Sequence, residues 1–365
     1  MPWGRIPPTE FNREEFVARY DVTVTSFESG QGTPNFKHWD RSGKAILYQI
    51  PPVARSPVQS PAYAAEKEEV WSLSFPALQP TLLSTVPPAV SVSNDGEMMI
   101  YLDQNQLRLA ALSGEIQKTL PLPDTLADAP RTYILGSSPD KKEILLGSFW
   151  PGLCRLSRLW VETGVSEVLA EKTNPPPGFW FFSAWSPDGS RLLFSKSASE
   201  GHGTTWRMAT RSTGKIEEIT SPGNLAICEP SWTFRDYVLV YGYDIKKATD
   251  RAAAPGVEQD DFADIYVLNA RTREFRKLFS HERRSDFYPV LSYDGRLVAF
   301  YGRDRSGKLS LMITDLAGGF CVAIDDPVTP GQPPAWSPDS RSVVYDSITS
   351  SKRIAVGIAT VRRRR

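Results

Sequence analysis

The chain has 365 residues, with 42 Lys and Arg against 42 Asp and Glu, so its formal net charge is zero. A neutral chain has no global field that would steer it towards nucleic acid or an anionic membrane. A hydrophobic content of 41 % is ample for a core, which excludes long disorder for the chain as a whole. The three cysteines, Cys154, Cys228 and Cys321, are too few and too scattered for a disulfide framework or a metal knuckle.

The sequence contains no segment typical of export or of membrane insertion. Its N-terminal residues lack the apolar run of a signal peptide, and nowhere do about 18 apolar residues follow one another. We therefore expect a cytoplasmic protein with no membrane insertion. A periplasmic or secreted protein whose leader had been removed would have the same sequence.

The first predicted strand, residues 20–27, alternates between apolar and polar residues. Beyond it a five-residue phrase recurs before apolar segments, and its best preserved copy is Trp-Ser-Pro-Asp-Gly at 185–189. The seven copies begin at Trp39, Val92, Ser137, Trp185, Trp232, Leu291 and Trp336. They follow one another at intervals of about 50 residues, which is the period of a β-propeller blade and too long for most solenoid repeats.

Each copy of the phrase predicts a strand, a tight turn and a second strand. In the turn, Pro presets φ, Asp bonds the nearby backbone, and Gly adopts a positive φ without a Cβ penalty. Asp188 and Asp339 are therefore predicted to be structural. Two more strands follow in each copy, for example at 205–210 and 215–219 in the fourth. Four antiparallel strands form one propeller blade.

The two ends of the chain are predicted to complete one blade together. After Trp336 the seventh copy continues with strands at 342–346 and 353–360, and it is then one strand short. Residues 20–27 would supply the missing strand, close the ring and cover open sheet edges. The predicted fold class is all-β: a single propeller of seven four-stranded blades, closed by the N-terminal strand.

The predicted domain organisation follows from these repeats. Residues 1–35 form an N-terminal segment with the closing strand, 36–361 form the propeller, and 362–365 form a solvated basic tail. Two insertions, at 51–69 and 246–261, lengthen the first and fifth repeats and are predicted to be protruding loops.

The phrase Trp-Ser-Pro-Asp-Gly before an apolar strand resembles the TolB-like propeller repeat, over about residues 36–361. That repeat occurs in TolB, in the propeller domains of prolyl oligopeptidases and dipeptidyl peptidases, and in oligogalacturonate lyases. TolB has six blades and an N-terminal α/β domain, whereas this sequence predicts seven blades. The resemblance implies the fold and says little about function, because the same turn chemistry serves unrelated activities.

Catalytic and metal-binding chemistry finds little support in the sequence. There is no Gly-x-Ser-x-Gly motif, and no α/β-hydrolase domain, in which the resemblance places peptidase catalysis, follows the seventh copy. The histidines, His38, His202 and His281, lie in different parts of three repeats, so we do not expect them to converge on one metal ion. The acidic run at 258–264 lacks the spacing of a calcium loop and is interpreted as a solvated insertion. No catalytic residue, metal or cofactor is predicted.

Aromatic residues are frequent three or four positions before the copies of the phrase, as in the Phe-Trp-Phe-Phe run at 179–182. The innermost strand of a propeller blade lines the channel, so residues at its start are expected to face the channel mouth. The predicted binding residues are Phe36, Tyr133, Phe182, Glu229, Tyr288 and Gln332. Aromatic groups with polar neighbours suit the recognition of a peptide or a sugar. Packing between adjacent blades is the alternative interpretation of these residues.

The sequence therefore predicts a non-catalytic binding or assembly platform that recognises a protein, a peptide or a glycan at a channel mouth. A protein or peptide partner is favoured, a glycan is the second class, and no nucleic acid partner is expected. Two alternatives stay open. One is a lyase-like or hydrolase-like propeller enzyme that acts on a glycan or a small molecule, and the other is a propeller subunit that gates a separately encoded peptidase.

Overall fold

The described residues of the computed structural model form seven four-stranded antiparallel sheets and one short helix, α1 (Asp124–Ala127). The structure describes residues 20–29, 34–50, 67–87, 90–93, 95–175, 181–197, 204–223, 225–244, 263–279, 285–304, 306–316, 321–324, 328, 332–348 and 353–364. Seven four-stranded antiparallel sheets are the blades of a β-propeller. The predicted fold class is confirmed.

The strands of blades one to four follow the order of the chain, after an N-terminal strand, β1 (Tyr20–Phe27), that belongs to blade seven. Blade one contains β2 (Asn35–Trp39), β3 (Ala45–Ile50), β4 (Glu68–Ser74) and β5 (Pro80–Val86). Blade two contains β6 (Ser91–Val92), β7 (Met98–Asp103), β8 (Gln106–Ala111) and β9 (Ile116–Pro121). Blade three contains β10 (Arg131–Ser137), β11 (Glu143–Trp150), β12 (Leu153–Trp160) and β13 (Ser166–Thr173). Blade four contains β14 (Ser183–Trp185), β15 (Arg191–Ser197), β16 (Thr204–Thr210) and β17 (Ile216–Ile219).

Blades five and six repeat the same strand order, and blade seven combines both ends of the chain. Blade five contains β18 (Leu225–Phe234), β19 (Tyr237–Asp244), β20 (Asp264–Asn269) and β21 (Phe275–Phe279). Blade six contains β22 (Ser285–Leu291), β23 (Leu297–Arg303), β24 (Leu309–Asp315) and β25 (Cys321–Ile324). Blade seven contains β26 (Ala335–Trp336), β27 (Ser342–Ile348), β28 (Ile354–Arg363) and β1.

The chain divides into two compact units. Unit A, Ser29–Gly189, contains blades one to three and β14, and unit B, Met1–Glu28 with Ser190–Arg365, contains β15–β17 and blades five to seven. Each unit has its own apolar core between its blades. In unit A fully buried aliphatic residues come from blades two and three, and in unit B the core of blades five to seven is rich in tyrosine.

A serine–aspartate pair holds the turn between the first two strands of most blades. In five blades the Ser hydroxyl donates to the carboxylate two residues later at 2.6 or 2.7 Å; the pairs are Ser93–Asp95, Ser138–Asp140, Ser186–Asp188, Ser292–Asp294 and Ser337–Asp339. Asp339 also accepts the backbone N–H of Arg341 at 3.1 Å. These bonds inside the turn agree with the structural role predicted for Asp188 and Asp339.

Each of the seven turns also contains one residue with left-handed backbone. In four copies it is a glycine with φ between 67° and 73°: Gly43, Gly96, Gly189 and Gly295. In the other three it is Lys141, Arg235 or Ser340, with φ between 48° and 61°. A side chain at such a position costs about 1 kcal/mol or more relative to glycine. The degenerate copies therefore keep the turn conformation at the expense of some strain.

The N-terminal strand lies in blade seven, as predicted. β1 pairs antiparallel with β28 in an unbroken register that runs from Tyr20 opposite Arg363 to Phe27 opposite Val356. Beyond the strand, Arg364 Nη2 lies 2.7 Å from Asp21 Oδ1 and forms an ion pair with it. The prediction that the N-terminal strand completes blade seven is confirmed.

Some of the sequence-based predictions concern residues that the structure does not describe. Residues 51–66 and 246–261, which make up nearly all of the two predicted insertions, lie outside them. Of the cysteines, Cys154 is buried and Cys228 is half-buried, and both are free thiols. No helix within the described ranges is long and apolar enough to cross a membrane.

Candidate functional site

The first strands of four blades bulge at the same place. Pairing with the second strand shifts at Asn35/His38 in β2, Ile134/Gly136 in β10, Cys228/Ser231 in β18 and Phe287/Val290 in β22. The predicted residues Phe36, Glu229 and Tyr288 lie inside these bulges, and Tyr133 lies directly beside one. Because a bulge locally disrupts the strand pairing and redirects side chains, the predicted positions coincide with irregular backbone.

Two of the bulged residues have strained backbone. Glu229 has φ of 40° and Tyr288 has φ of 55°, although neither is glycine. Both side chains are half-buried. A non-glycine residue in the left-handed region costs about 1–3 kcal/mol, and such residues are frequent at ligand-binding and active sites. The strain recurs at equivalent positions of blades five and six.

In unit B, Tyr288 is surrounded by other aromatic rings. Its ring centroid lies 5.6 Å from that of Tyr241 in β19, 5.4 Å from that of Phe287, and 6.4 Å from that of Tyr301 in β23, each in an edge-to-face arrangement. These rings and Asp346 of β27 are called the tyrosine–aspartate cluster below. Within it Tyr288 is half-buried, whereas Tyr241, Phe287 and Tyr301 are buried. Tyr288 is therefore the aromatic residue through which this cluster reaches solvent.

Hydrogen bonds extend the tyrosine–aspartate cluster into blade seven. The backbone N–H of Asp346 donates to Tyr301 Oη at 3.1 Å, and the carboxylate of Asp346 accepts the backbone N–H of Gln332 at 3.1 Å. Complete burial, followed by the negative charge of Asp346, raises the pKa of Tyr301 well above its usual value. The phenol therefore stays neutral at physiological pH. Tyr288 and Gln332, two predicted binding residues, are thus connected through Tyr301 and Asp346.

Charged groups lie at the edge of the tyrosine–aspartate cluster. The guanidinium carbon of Arg303, at the end of β23, lies 5.9 Å from the ring centroid of Phe287, at the outer limit of a cation–π contact. Glu229 follows Cys228, which packs against the core beneath this cluster. A half-buried phenol such as that of Tyr288 can bind amides, hydroxyls and apolar side chains.

In unit A, a second set of aromatic residues surrounds Tyr133. Its ring centroid lies 5.7 Å from that of Phe149, which in turn lies 6.4 Å from that of Phe181. Phe181 is buried, and its neighbour Phe182 is half-buried. Tyr133 therefore belongs to an aromatic group with Phe149 and Phe181, and Phe182 directly follows Phe181 in the chain. Tyr288 and Gln332 belong to another.

The remaining candidates are described only in part. Phe36 has its backbone in β2, but its side chain lies outside the described part of the molecule, as do residues 179–180, His202 and His281. His38 donates from Nδ1 to the carbonyl oxygen of Trp39 at 2.6 Å, and burial lowers its pKa although this bond and the charge of Asp95 oppose the shift. Among the described residues, no group of three or more His, Cys, Asp or Glu side chains is placed to hold a metal ion.

The sequence-based prediction missed the buried members of the tyrosine–aspartate cluster. Tyr241, Tyr301 and Asp346 occupy equivalent positions late in the second strands β19, β23 and β27. A usable signal was present, because Tyr-Gly occurs at this position in both blade five and blade six, and Asp-Ser in blade seven. The predicted positions, three or four residues before the turn phrase, all precede the turn, whereas these three residues lie in the second strands after it.

Comparisons with known proteins identify the fold. No family model matches the sequence, and no curated protein does. An oligogalacturonate lyase in complex with manganese matches with a TM-score of 0.63 at 15 % identity, covering 93 % of this chain and 96 % of that one. An oligogalacturonate lyase from Vibrio parahaemolyticus matches with a TM-score of 0.62 at 14 % identity, covering 93 % and 98 %. The predicted β-propeller fold is confirmed.

The propeller part of a peptidase is similar as well. A prolyl endopeptidase structure matches with a TM-score of 0.55 at 14 % identity, covering 97 % of this chain and 53 % of that one. Structures of TolB proteins are also among the matches. At such low identities the likeness is one of fold, which propellers with different activities share.

Proposed function

We propose that this protein is a non-catalytic binding or assembly platform that holds a protein or peptide partner at the tyrosine–aspartate cluster of unit B. The observation that carries the proposal is Tyr288. This half-buried phenol sits on left-handed backbone inside a bulge, and buried aromatic rings support it from three sides. A rigid aromatic group that reaches solvent from a well-packed base is typical of an anchoring residue in protein recognition.

The arrangement of the polar groups supports a peptide as the bound molecule. Glu229 and Gln332 are half-buried and lie three and four residues before the turn phrases of blades five and seven. The carboxylate of Glu229 is an acceptor, and the side-chain amide of Gln332 is both a donor and an acceptor. Main-chain amides and polar side chains of an extended peptide can bond to such groups while an apolar side chain packs on the phenol. The same surface chemistry suits a sugar, so a glycan is the second class of ligand.

Replacing Tyr288 with alanine should abolish partner capture in a folded protein. Loss of an anchoring aromatic residue typically weakens binding by about 2 kcal/mol, roughly a thirtyfold loss of affinity. We would compare pull-downs from cell extract by immobilised parent and variant, with mass spectrometry of the bound proteins. Tyr293→Ala is the matched control, because Tyr293 is an exposed tyrosine of the same blade, two residues beyond the end of β22. Equal capture by the Tyr288 variant and the parent, at equal melting temperature, would reject this site.

A second prediction separates strain from binding at Glu229. Glu229→Gly removes the side chain and relieves the left-handed strain at φ of 40°. We expect the free energy of unfolding to rise by about 1 kcal/mol and partner capture to weaken. Urea denaturation gives the first quantity and the pull-down gives the second. A variant that is less stable than the parent would mean that Glu229 serves the fold, and unchanged capture would remove it from the site.

A propeller enzyme is the second candidate function. The observation in its favour is the likeness to two oligogalacturonate lyases over more than nine-tenths of each chain. The purified chain should be incubated with oligogalacturonate, with and without manganese, and followed by the ultraviolet absorbance of unsaturated products. Turnover would replace the platform proposal.

A propeller that gates a separately encoded peptidase is the third candidate, and such a peptidase would be recovered with the parent chain in the pull-down.

A further inference from the structure

The outer strands of the blades differ in how well their free edges are protected. The outer strand is here the fourth strand of each blade: β5, β9, β13, β17, β21, β25 and β1. Natural sheets protect such edges with short strands, proline, charged side chains or bulges, because an open edge pairs with other chains. Six of these seven strands, as far as the structure describes them, are short, contain or begin with proline, or combine charged residues with a bulge.

The protection of the six strands takes several forms. β17 and β25 have four residues each. β5 begins at Pro80, and β9 contains a lysine and ends at Pro121. β13 contains three charged residues and β21 contains two, and the pairing of both strands is interrupted by a bulge. Each of these edges is a poor template for an added strand.

β1 has the least of this protection along its described length. It has eight residues, all eight pair with β28 without a bulge, and its sequence contains neither proline nor glycine. Its one charged residue, Asp21, is ion-paired with Arg364 of the same chain. Thr23, Val24 and Thr25 are exposed, with Val24 at 42 %. A long edge strand with a single charged residue and several β-branched residues readily pairs with another strand.

We propose that the outer edge of β1, at Val22–Thr25, binds β1 of a second copy of this chain, antiparallel across a two-fold axis. The sequence Val22-Thr23-Val24 reads the same in both directions, so it is complementary to itself. With the axis at Thr23, this residue lies opposite Thr23 of the second copy, Val22 lies opposite Val24, and Asp21 lies opposite Thr25. Apolar and hydroxyl pairs of this kind stabilise antiparallel strands, and no like charges oppose each other.

The charge distribution of this edge fits a second copy of β1 better than a different partner. An edge built for a charged peptide would present charge of the opposite sign, whereas the one charge of β1 is neutralised within its own chain. The two copies of blade seven would form a continuous eight-stranded sheet, a symmetric and self-limiting assembly. One pair of strands buries less surface than a standard interface, so the dimer should be weak, with a dissociation constant of about 100 µM.

The test uses sedimentation velocity of the full-length chain from about 1 to about 500 µM, a range that brackets weak interfaces. The parent should shift from monomer to dimer as the concentration rises. Thr23→Lys and Thr23→Glu should each stay monomeric, because two like charges would meet at the axis, and their equimolar mixture should form a heterodimer. Thr85→Lys is the matched control, an exposed threonine in β5 whose replacement should leave dimerisation unchanged. Melting temperatures verify that the variants are folded.

A cross-linking measurement keeps the proposal testable if a charged variant fails to fold. Thr23→Cys should form an intermolecular disulfide under mild oxidation, whereas Thr85→Cys should not. A parent chain that stays monomeric over the whole range would overturn the proposal, whatever other protein binds the edge. So would a dimer that survives Thr23→Lys, or a mixture of the two charged variants that stays monomeric.

Discussion

A chain that begins at residue 28 should lose most of its stability. It would lack β1, and the eight-residue register of β1 with β28 would be replaced by an open edge. Val356, Ile358 and Val361 of β28 are buried in the intact chain and would lie next to that edge. Each lost backbone hydrogen bond costs about 1 kcal/mol net, so removal of the eight-residue strand should cost several kcal/mol, comparable to the whole stability of many domains.

The control for this truncation is a chain that begins at residue 20, which keeps β1 and lacks the residues before it. Thermal melting and urea denaturation of the two truncated chains isolate the contribution of the strand. A synthetic peptide of residues 18–29, added in excess, should raise the melting temperature of the shorter chain by refilling the edge. Melting of the two truncated chains within a degree or two of each other would show that β1 contributes little.

The blades could be predicted from the sequence because their signals are local. A turn that needs a proline, an aspartate and a residue with positive φ leaves a short pattern, and seven copies of it define the period. The strand predicted at residues 20–27 has the observed bounds. Its place in blade seven was predicted correctly because the seventh repeat was one strand short. The copies without glycine, such as that around Lys141, still form the turn because the strain is small compared with the packing of a blade.

The candidate site could be predicted only in part. Counting back from each turn phrase gave positions that coincide with bulges, and Tyr288 and Gln332 lie at one connected cluster. The same counting gave Tyr133, which belongs to a separate aromatic group of unit A, and Phe182, which follows a member of that group in the chain. A bulge inserts a residue into one strand, so the alternation of faces is lost there and the sequence no longer states where a side chain points.

The buried half of the cluster escaped prediction for a different reason. Tyr301 touches Tyr288 within blade six but bonds to Asp346 of blade seven, 45 residues later in the chain. Such a contact depends on how neighbouring blades pack, and no local pattern encodes it. Tyrosine at this position is also what a half-buried strand prefers for packing alone. Its polar role becomes visible once the hydroxyl is seen to be completely buried and bonded to the next blade.

The most sensitive position of blade seven should be Gly357. It lies in β28 directly opposite Tyr345 of β27, and a Cβ on this residue would lie 2.5 Å from Cζ of the tyrosine ring. Tyr345 is 1 % exposed and belongs to the core of blades five to seven, so its ring has no free space into which to move. Gly357→Ala should therefore lower the free energy of unfolding by about 3 kcal/mol, the upper range for overpacking a core.

Two comparisons show whether the Tyr345 ring is the cause. Gly147→Ala is the matched control, because Gly147 is also a strand glycine but a Cβ there would meet the flexible side chain of Leu135 at 3.2 Å. It should cost less than about 1 kcal/mol, as a small shift of Leu135 relieves the contact.

Combining Gly357→Ala with Tyr345→Leu should cost less than the sum of the two single changes, since the smaller side chain leaves room for the new methyl group. Urea denaturation of the four proteins in this cycle gives the coupling energy. Additive effects would show that the cost of alanine at Gly357 arises from something other than the ring above it.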